Sequence, residues 1–239
     1  MWYLDLTLST PAENLALDEA MLLACETDAT TTLRFWESTN HFVVLGAGRP
    51  RAADCDIAAC EIDAIPILRR CSGGGTVLQG PGCLNFNLVI AKSADKELDS
   101  ISGTNRWVLS RVLSALQSAG VDGLSLAGTS DLIDAEGRKF SGNAQRRRKD
   151  MILFHGTILH DFDLDLVQRY LREPDSQPEY REGRAHAQFI RNLPVDVEKF
   201  KAALRGLCGG SDEMIVWPRE ATSRLVSEKY STLAWNESF

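Results

Sequence analysis

The segment Arg69-Arg70-Cys71-Ser72-Gly73-Gly74-Gly75-Thr76-Val77 sets two guanidinium groups ahead of three consecutive glycines. Glycine loses more conformational freedom on folding than any other residue, so three together point to a backbone that takes positive φ or lets a ligand touch it. The exposed N–H groups of such a turn form a nest for phosphate or carboxylate oxygens, and an arginine adds charge-assisted, often bidentate hydrogen bonds. A hairpin turn flanked by solvated arginines is the competing reading of this stretch. A second segment, 128–150, carries Asp131 and then Lys139 ahead of the small residues Ser141-Gly142-Asn143-Ala144, and His155 follows in an apolar run. Lysine is a mobile point charge suited to a phosphate or a carboxylate. Taken singly, Lys139 reads as a solvated strand lysine.

The cysteines, Cys25, Cys55, Cys60, Cys71, Cys83 and Cys208, contain no Cys-x-x-Cys pair and match no histidine at metal-ligand spacing. That excludes a zinc centre and a disulfide framework, so most are expected to be reduced and buried. Cys71 and Cys83 flank the glycine turn and are the two thiols placed to face its ligand. His41, His160 and His186 show no metal spacing either. The run Arg146-Arg147-Arg148-Lys149 is the densest positive stretch in a chain of net charge −7. It reads either as a solvated strand edge or as a surface that receives an acidic partner.

These residues need elements to hold them. Residues 2–8 alternate as a strand, and Ser9-Thr10-Pro11-Ala12-Glu13 carries a hydroxyl cap, a first-turn proline and a following acid, which predicts a helix to about Cys25. Strands are expected at 33–37 and 42–45, a helix at 55–64, and strands at 65–68 and 84–90 around the glycine turn. The spacing of Trp107, Val108, Val112 and Leu116 predicts a helix over 104–119. Strand ends at 131–134 and 139–144 surround a turn at Glu136-Gly137-Arg138, and 151–159 is a strongly apolar strand bearing His155. Helices follow at 164–171, 195–207 and 218–230, with a long polar loop at 173–194. Helices and strands intermix without regular alternation, so the expected class is α+β, as a single domain over 1–239. Net charge −7 argues against a general nucleic-acid binder, and no apolar run reaches membrane-spanning length. The N-terminus lacks a basic region followed by an apolar core, so no signal peptide is read and a cytoplasmic location is expected.

Taken together, Arg-Arg-x-Ser-Gly-Gly-Gly-x-Val, Asp-Leu, Gly-Arg-Lys-x-Ser-Gly-x-Ala-x-Arg and His-Gly-Thr-x-Leu, in this order, resemble the lipoate-protein ligase A family within the biotin and lipoate ligase group. Val43-Val44-Leu45-Gly46 before them, and Glu228-Lys229-Tyr230 with Trp235-Asn236 after, extend the likeness over nearly the whole chain. The resemblance implies a biotin/lipoate ligase-like domain with mostly antiparallel sheets flanked by helices. It also implies an ATP-dependent enzyme that converts lipoate to lipoyl-AMP and then joins it to a lysine of a lipoyl domain. By that resemblance Lys139 and Arg70 carry the chemistry. Ser72, Gly73, Gly74, Gly75, Val77, Asn85, Asp131, Ser141, Gly142, Asn143, Arg146 and His155 bind substrate or nucleotide. Asp131 is the candidate ligand for Mg²⁺ alongside phosphate oxygens, and Val44, Leu45 and Val77 are candidate walls for the acyl chain. The implied acceptors are the acyltransferase subunits of 2-oxo acid dehydrogenases or the glycine cleavage H protein.

Three departures stand out. Gln79-Gly80 replaces the His-Asp of many ligases, and Gly80-Pro81-Gly82 is similar to octanoyltransferases. Cys83 stands where ligases commonly carry asparagine. The chain stops at Phe239, near where larger ligases begin an accessory domain, which leaves open a separate accessory subunit, activity without one, or no activation of lipoate by this chain. The rival activity is an octanoyl or lipoyl transferase working through a cysteine thioester, which needs an activated thiolate and no ATP. Biotin ligation and a non-catalytic lipoyl-domain binder fit the motifs less well.

Overall fold

The computed structural model describes residues 1–28, 30–174, 177–210 and 212–238. β1 (Trp2–Asp5) leads into α1 (Pro11–Asp28), followed by β2 (Thr32–Trp36) and β3 (Phe42–Leu45). Two short helices, α2 (Arg51–Asp54) and α3 (Ile57–Ile62), precede β4 (Ile67–Arg69), which the glycine turn joins to β5 (Val77–Gln79). The long β6 (Cys83–Ala91) and α4 (Ile101–Ser118) come next, then β7 (Ser125–Ala127), β8 (Asp131–Ile133), β9 (Lys139–Ser141), β10 (Asn143–Arg147) and β11 (Met151–Leu159). The rest is α5 (Asp165–Tyr170), α6 (His186–Phe189), α7 (Val197–Leu207), β12 (Asp212–Glu213), α8 (Arg219–Leu225) and α9 (Leu233–Asn236), with a π turn at Val226–Tyr230. No helix among the described residues is long and apolar enough to cross a membrane.

The main sheet has the order β10-β11-β6-β2-β1-β12, and two three-stranded sheets, β4-β3-β5 and β7-β8-β9, stand beside it. Pairing in the main sheet is antiparallel from β10 to β2 and parallel at β1 with β2 and β12. Period-2 geometry gives its central strands two buried faces. Leu84, Phe86, Leu88 and Ile90 of β6 pack with Phe35, Phe154, Val112, Leu116, Phe200 and Leu204, so α4 and α7 cover one face. On the opposite face α1 brings Leu17 and Met21 against Val89, Met151 and Leu153.

That second face also holds buried polar groups. The Arg34 guanidinium donates to Asp18 Oδ1 at 2.5 Å, to Asn14 Oδ1 at 2.6 Å and to the Leu6 carbonyl at 2.9 Å. Burial pushes the Asp18 carboxyl upward and the Arg34 charge opposes it. This cluster ends β1 early. The expected strand over 2–8 stops at Asp5 because the Leu6 carbonyl serves Arg34 and the Leu8 N–H donates to Asn14 Oδ1.

The expected start of α1 is present as a capping box, with Thr10 Oγ1 accepting from Glu13 N and Glu13 Oε2 from Thr10 N. The helix expected over 55–64 is found as α3, shortened to 57–62, and the short α2 precedes it outside the expected range. Cys55 is extended, and Asp56 caps a new start by accepting from Ala59 N at 2.9 Å. The helix expected over 218–230 widens into the π turn, which sets Lys229 and Tyr230 on the same carboxylate of Glu19. Within the expected loop 173–194, residues 175 and 176 lie outside the described residues, as does Phe239; the described part is not structureless, for it holds α6 and a short 3₁₀ turn at Glu179–Arg181.

Removing one partner of a buried ion pair leaves an uncompensated charge and costs about 3–5 kcal/mol. Asp18→Ala is therefore expected to lower unfolding free energy by that amount, read from the midpoint of a urea titration; a change under about 1 kcal/mol would show the pair to be dispensable.

Candidate active site

The turn between β4 and β5 is built around a buried cation. Arg70 donates from Nε to Ser72 Oγ at 3.0 Å and from Nη2 to the carbonyls of Gly73 and Gly75 at 2.7 and 2.8 Å. Its Nη1 points to the Val44 carbonyl at 3.4 Å. Burial lowers the pKa of Arg70 to about 10. The three carbonyls turn inward, and Gly73, Gly74 and Gly75 stay exposed. Gly74 has φ +91°, and a Cβ at Gly46 would lie 2.1 Å from the Gly74 carbonyl oxygen, so glycine is required on both sides of this contact.

Arg69 does not face a ligand, contrary to the expectation that both arginines flank the anion site. It is fully buried and donates to the carbonyls of Gly46, Arg49, Trp235 and Asn236. The Trp235 indole donates to the Arg69 carbonyl and the Arg69 N–H donates to Asn236 Oδ1, at 2.9 Å each. The Trp235-Asn236 motif thus serves to clamp β4.

Lys139 opens β9, and its Nζ lies 2.8 Å from Asp131 Oδ1 on the neighbouring β8. Tyr180, from the loop after α5, donates to the other oxygen, Asp131 Oδ2, at 2.7 Å. Burial, with Asp131 beside it, holds the phenol far above its ordinary value. The same loop is tied to β9 where Arg191 N donates to the Lys139 carbonyl at 2.9 Å.

Two chambers meet at Lys139. The first, about 410 Å³, is walled by Val77, Leu78, Phe140, Leu159, Val167, Leu171, Phe189 and Ile190, with Arg49, Asp54, Arg172, Arg181 and His186 also in its lining. The second, about 430 Å³, is lined by Arg70, Gln79, Asn85, Ser130, Asn143, Ala144, His155 and Thr157. Gly74, Gly75, Thr76, Val77, Asp131, Lys139, Gly142, Thr157 and Pro178 belong to both. In the second chamber Gln79 donates to Asn85 Oδ1 at 2.8 Å, and Asn143 donates to the Ser130 carbonyl at 2.7 Å and to Ser141 Oγ at 3.0 Å. Gln79 Oε1 and Asn143 Oδ1 are buried with no hydrogen-bond partner among the described residues. Ser72 Oγ and His155 Nε2 are 2.5 Å apart. Burial first, and then the Arg70 charge, push the His155 pKa down to about 3, so the ring is neutral.

The expected site residues therefore gather, with corrections. Val44 and Leu45 are fully buried core residues that line neither chamber, because β3 is the middle strand of its sheet; of the three expected acyl-chain walls only Val77 lines a chamber. Cys71 and Cys83 are buried away from both chambers, and among the described residues no cysteine lines either. Burial pushes the Cys71 thiol up to about 12 and Cys83 higher still. Arg146 is exposed on edge strand β10, but Arg147 donates to the Leu98 carbonyl and to Thr104 at 2.5 and 2.9 Å, and Arg148 pairs with Glu26 at 2.6 Å. Two of the four charges proposed to receive a partner thus hold the fold. Arg49, Asp54, Tyr180 and Arg172 escape sequence reading: each stands outside a motif, and only tertiary pairing brings it to the chambers. Among the described residues no three potential metal ligands cluster.

Residues 10–206 match the model of the lipoyl protein ligase A/B catalytic domain. The chain is 33% identical over 162 residues to a probable lipoate-protein ligase A of Mycoplasma pneumoniae, taking in 67% of this chain and 46% of that protein. It thus spans about half the length of that curated relative. It is 29% identical to an octanoyltransferase of Carboxydothermus hydrogenoformans, covering 94% of this chain and 93% of the other. A bi-partite lipoate protein ligase from Thermoplasma acidophilum, solved in a study of that ligase and its E2 lipoyl domain, superposes with a TM-score of 0.84 at 25% identity, over 99% of this chain and 95% of that one. The α+β class and ligase-like fold expected from the motifs agree with this likeness.

A histidine held neutral in the fold takes up its proton first in the unfolded chain. Its contribution is full above the ordinary pKa and is lost as pH falls below it. The native protein should lose about 1–2 kcal/mol more stability than His155→Gln between about pH 6.5 and 5, measured by urea unfolding; parallel losses would place the His155 pKa near its ordinary value.

Proposed function

The chain belongs to the lipoyl protein ligase A/B catalytic-domain family, and on that premise we propose that it is an ATP-dependent lipoate-protein ligase. The observation that carries this reading is the meeting of two chambers of unlike chemistry at one lysine. The first is apolar with cations in its lining, which suits a flat heterocycle whose phosphates need positive charge. The charged groups of the second are Arg70, whose N–H groups are engaged inward, and the Lys139–Asp131 pair at its mouth. Its lining is otherwise neutral, which suits an uncharged acyl chain.

Nucleotide in the first chamber and acyl group in the second bring the carboxylate and the α-phosphate together at Lys139. The carboxylate oxygen bonds to the α-phosphorus, the bond to the bridging oxygen breaks, and pyrophosphate leaves with the electron pair. Lys139 Nζ turns from Asp131 to the oxygens that carry developing charge, while Gly74 and Gly75 offer backbone N–H groups to phosphate. The neutral His155 holds Ser72 against Arg70 and keeps the turn in place. Asp131 is the carboxylate that would hold Mg²⁺, since it lines both chambers, and the ion would neutralise phosphate charge. An acceptor lysine of a lipoyl domain then attacks the acyl carbon and AMP leaves. The two-part ligase of Thermoplasma acidophilum supports a separate accessory subunit for this chain. The acceptors proposed are lipoyl domains of 2-oxo acid dehydrogenase complexes or the glycine cleavage H protein.

The octanoyltransferase relative supports a second reading, transfer between carrier proteins through a thioester. The burial of Cys83 speaks against that thiol as nucleophile.

Pyrophosphate release with ATP, Mg²⁺ and lipoate tests the proposal. Lys139→Ala is expected to lower the rate by about 10²–10³-fold, and Cys83→Ala to leave it within about threefold. Octanoyl transfer without ATP that disappears in Cys83→Ala would favour the second reading instead.

A further inference from the structure

Asp54 is a carboxylate that the ligase reading does not use, although it is 7% exposed and stands in the lining of the apolar chamber. Its carboxylate accepts from Arg49 Nε at 2.7 Å, from Arg49 Nη2 and from Thr76 Oγ1 at 2.5 Å. Burial alone would raise its pKa, but the bonds from Arg49 and Thr76 outweigh this and hold the carboxyl below its ordinary value. The Asp54 backbone carbonyl accepts from Arg172 N at 2.9 Å. One residue thus joins the loop after β3, the end of the glycine turn and the segment after α5.

Arg172 is held at its backbone on both sides, by Asp54 at its N–H and by the His186 ring at its carbonyl at 3.3 Å. Its side chain is exposed at the chamber rim. Other cations of that chamber have carboxylate partners: Arg49 with Asp54, Lys139 with Asp131 and Arg181 with Glu173. No ion pair or side-chain hydrogen bond engages the Arg172 guanidinium among the described residues. A fixed backbone that carries an uncompensated planar cation into the lining shared with Thr76 and the glycine turn suits phosphate capture.

We propose that Arg172 and Arg49, positioned by Asp54, form the site that receives the leaving pyrophosphate. The proposal rests on the nucleotide occupying the apolar chamber with its α-phosphate at Lys139, which points the β- and γ-phosphates past Thr76 to these two arginines. As the α-phosphorus bonds to the carboxylate oxygen and releases the bridging oxygen, the charge that collects on pyrophosphate falls at this pair. Arg49 is already neutralised by Asp54, so Arg172 supplies the net positive charge. Asp54 is a positioning residue here, and Arg172 is the binding one.

The test titrates the native chain, Arg172→Gln and Arg172→Lys with inorganic pyrophosphate by calorimetry and measures KM for ATP and for lipoate by pyrophosphate release. Arg172→Gln is expected to weaken pyrophosphate binding and raise KM for ATP by about tenfold each, with KM for lipoate within about twofold. Arg172→Lys should recover part of the loss, because the charge remains and the fork geometry does not. Pyrophosphate affinity unchanged in Arg172→Gln, or none in the native chain, overturns the proposal. A native chain that binds pyrophosphate but releases none from ATP and lipoate counts against the ligase reading alone, and the calorimetry still decides the role of Arg172.

Discussion

Arg70 is a buried cation solvated by carbonyl oxygens, with no carboxylate among the described residues to neutralise it. Taking such a charge out of water is unfavourable unless its donors are met, and the glycine turn meets them by folding three segments around it. The carbonyls of Gly73 and Gly75 point inward because the guanidinium requires them, and the exposed side of the turn follows from that. Gly46 must approach Gly74, β3 must run beside β4, and Ser72 must stand against a neutral His155. Positive charge left beneath the turn also raises the potential where both chambers meet. One desolvated guanidinium therefore fixes local shape and sets the sign of the field.

The main sheet applies the same economy of polar groups along its length. Where β2, β6 and β11 lie side by side, Arg34 stands opposite Asn87, and Asn87 opposite His155. At the β2 end α1 fills the space and provides Asp18 and Asn14, so the polar groups there are met by protein. Toward β10, His155 and its cross-strand neighbour Ala144 line a chamber. Buried acceptors of Gln79 and Asn143, with no hydrogen-bond partner among the described residues, border the same chamber. A single sheet face thus passes from self-satisfied core to ligand-accessible wall, and the position of α1 sets the boundary.

The elements that could be read in the sequence are those whose reasons are local. The capping box of α1, the apolar run of β11 and the periodicity of α4 lie within their own segments, and each is found close to its expected bounds. The glycine turn and Lys139 were legible as chemistry-bearing types, and the structure brings them together. What could not be read depends on partners far along the chain. Nothing beside Arg69 states that it will be consumed by Trp235 and Asn236, and nothing beside Arg147 states that its guanidinium will be taken up by the Leu98 carbonyl and Thr104. The break at Cys55 and the short strands β7 and β12 have signals too weak to compete with their surroundings. Asp54 and Tyr180 matter through tertiary bonds alone, so no motif marks them.

The clamp on Arg69 also sets an order of events in the making of the protein. Residues separated by more than 160 positions must meet before β4 is fixed against the loop at Gly46, so the contact closes a very long chain loop. During synthesis, β4 emerges from the ribosome with the Arg69 guanidinium short of two of its acceptors, and stays so until Trp235 and Asn236 have been added. A growing chain that has not reached Trp235 therefore carries β4 without its clamp.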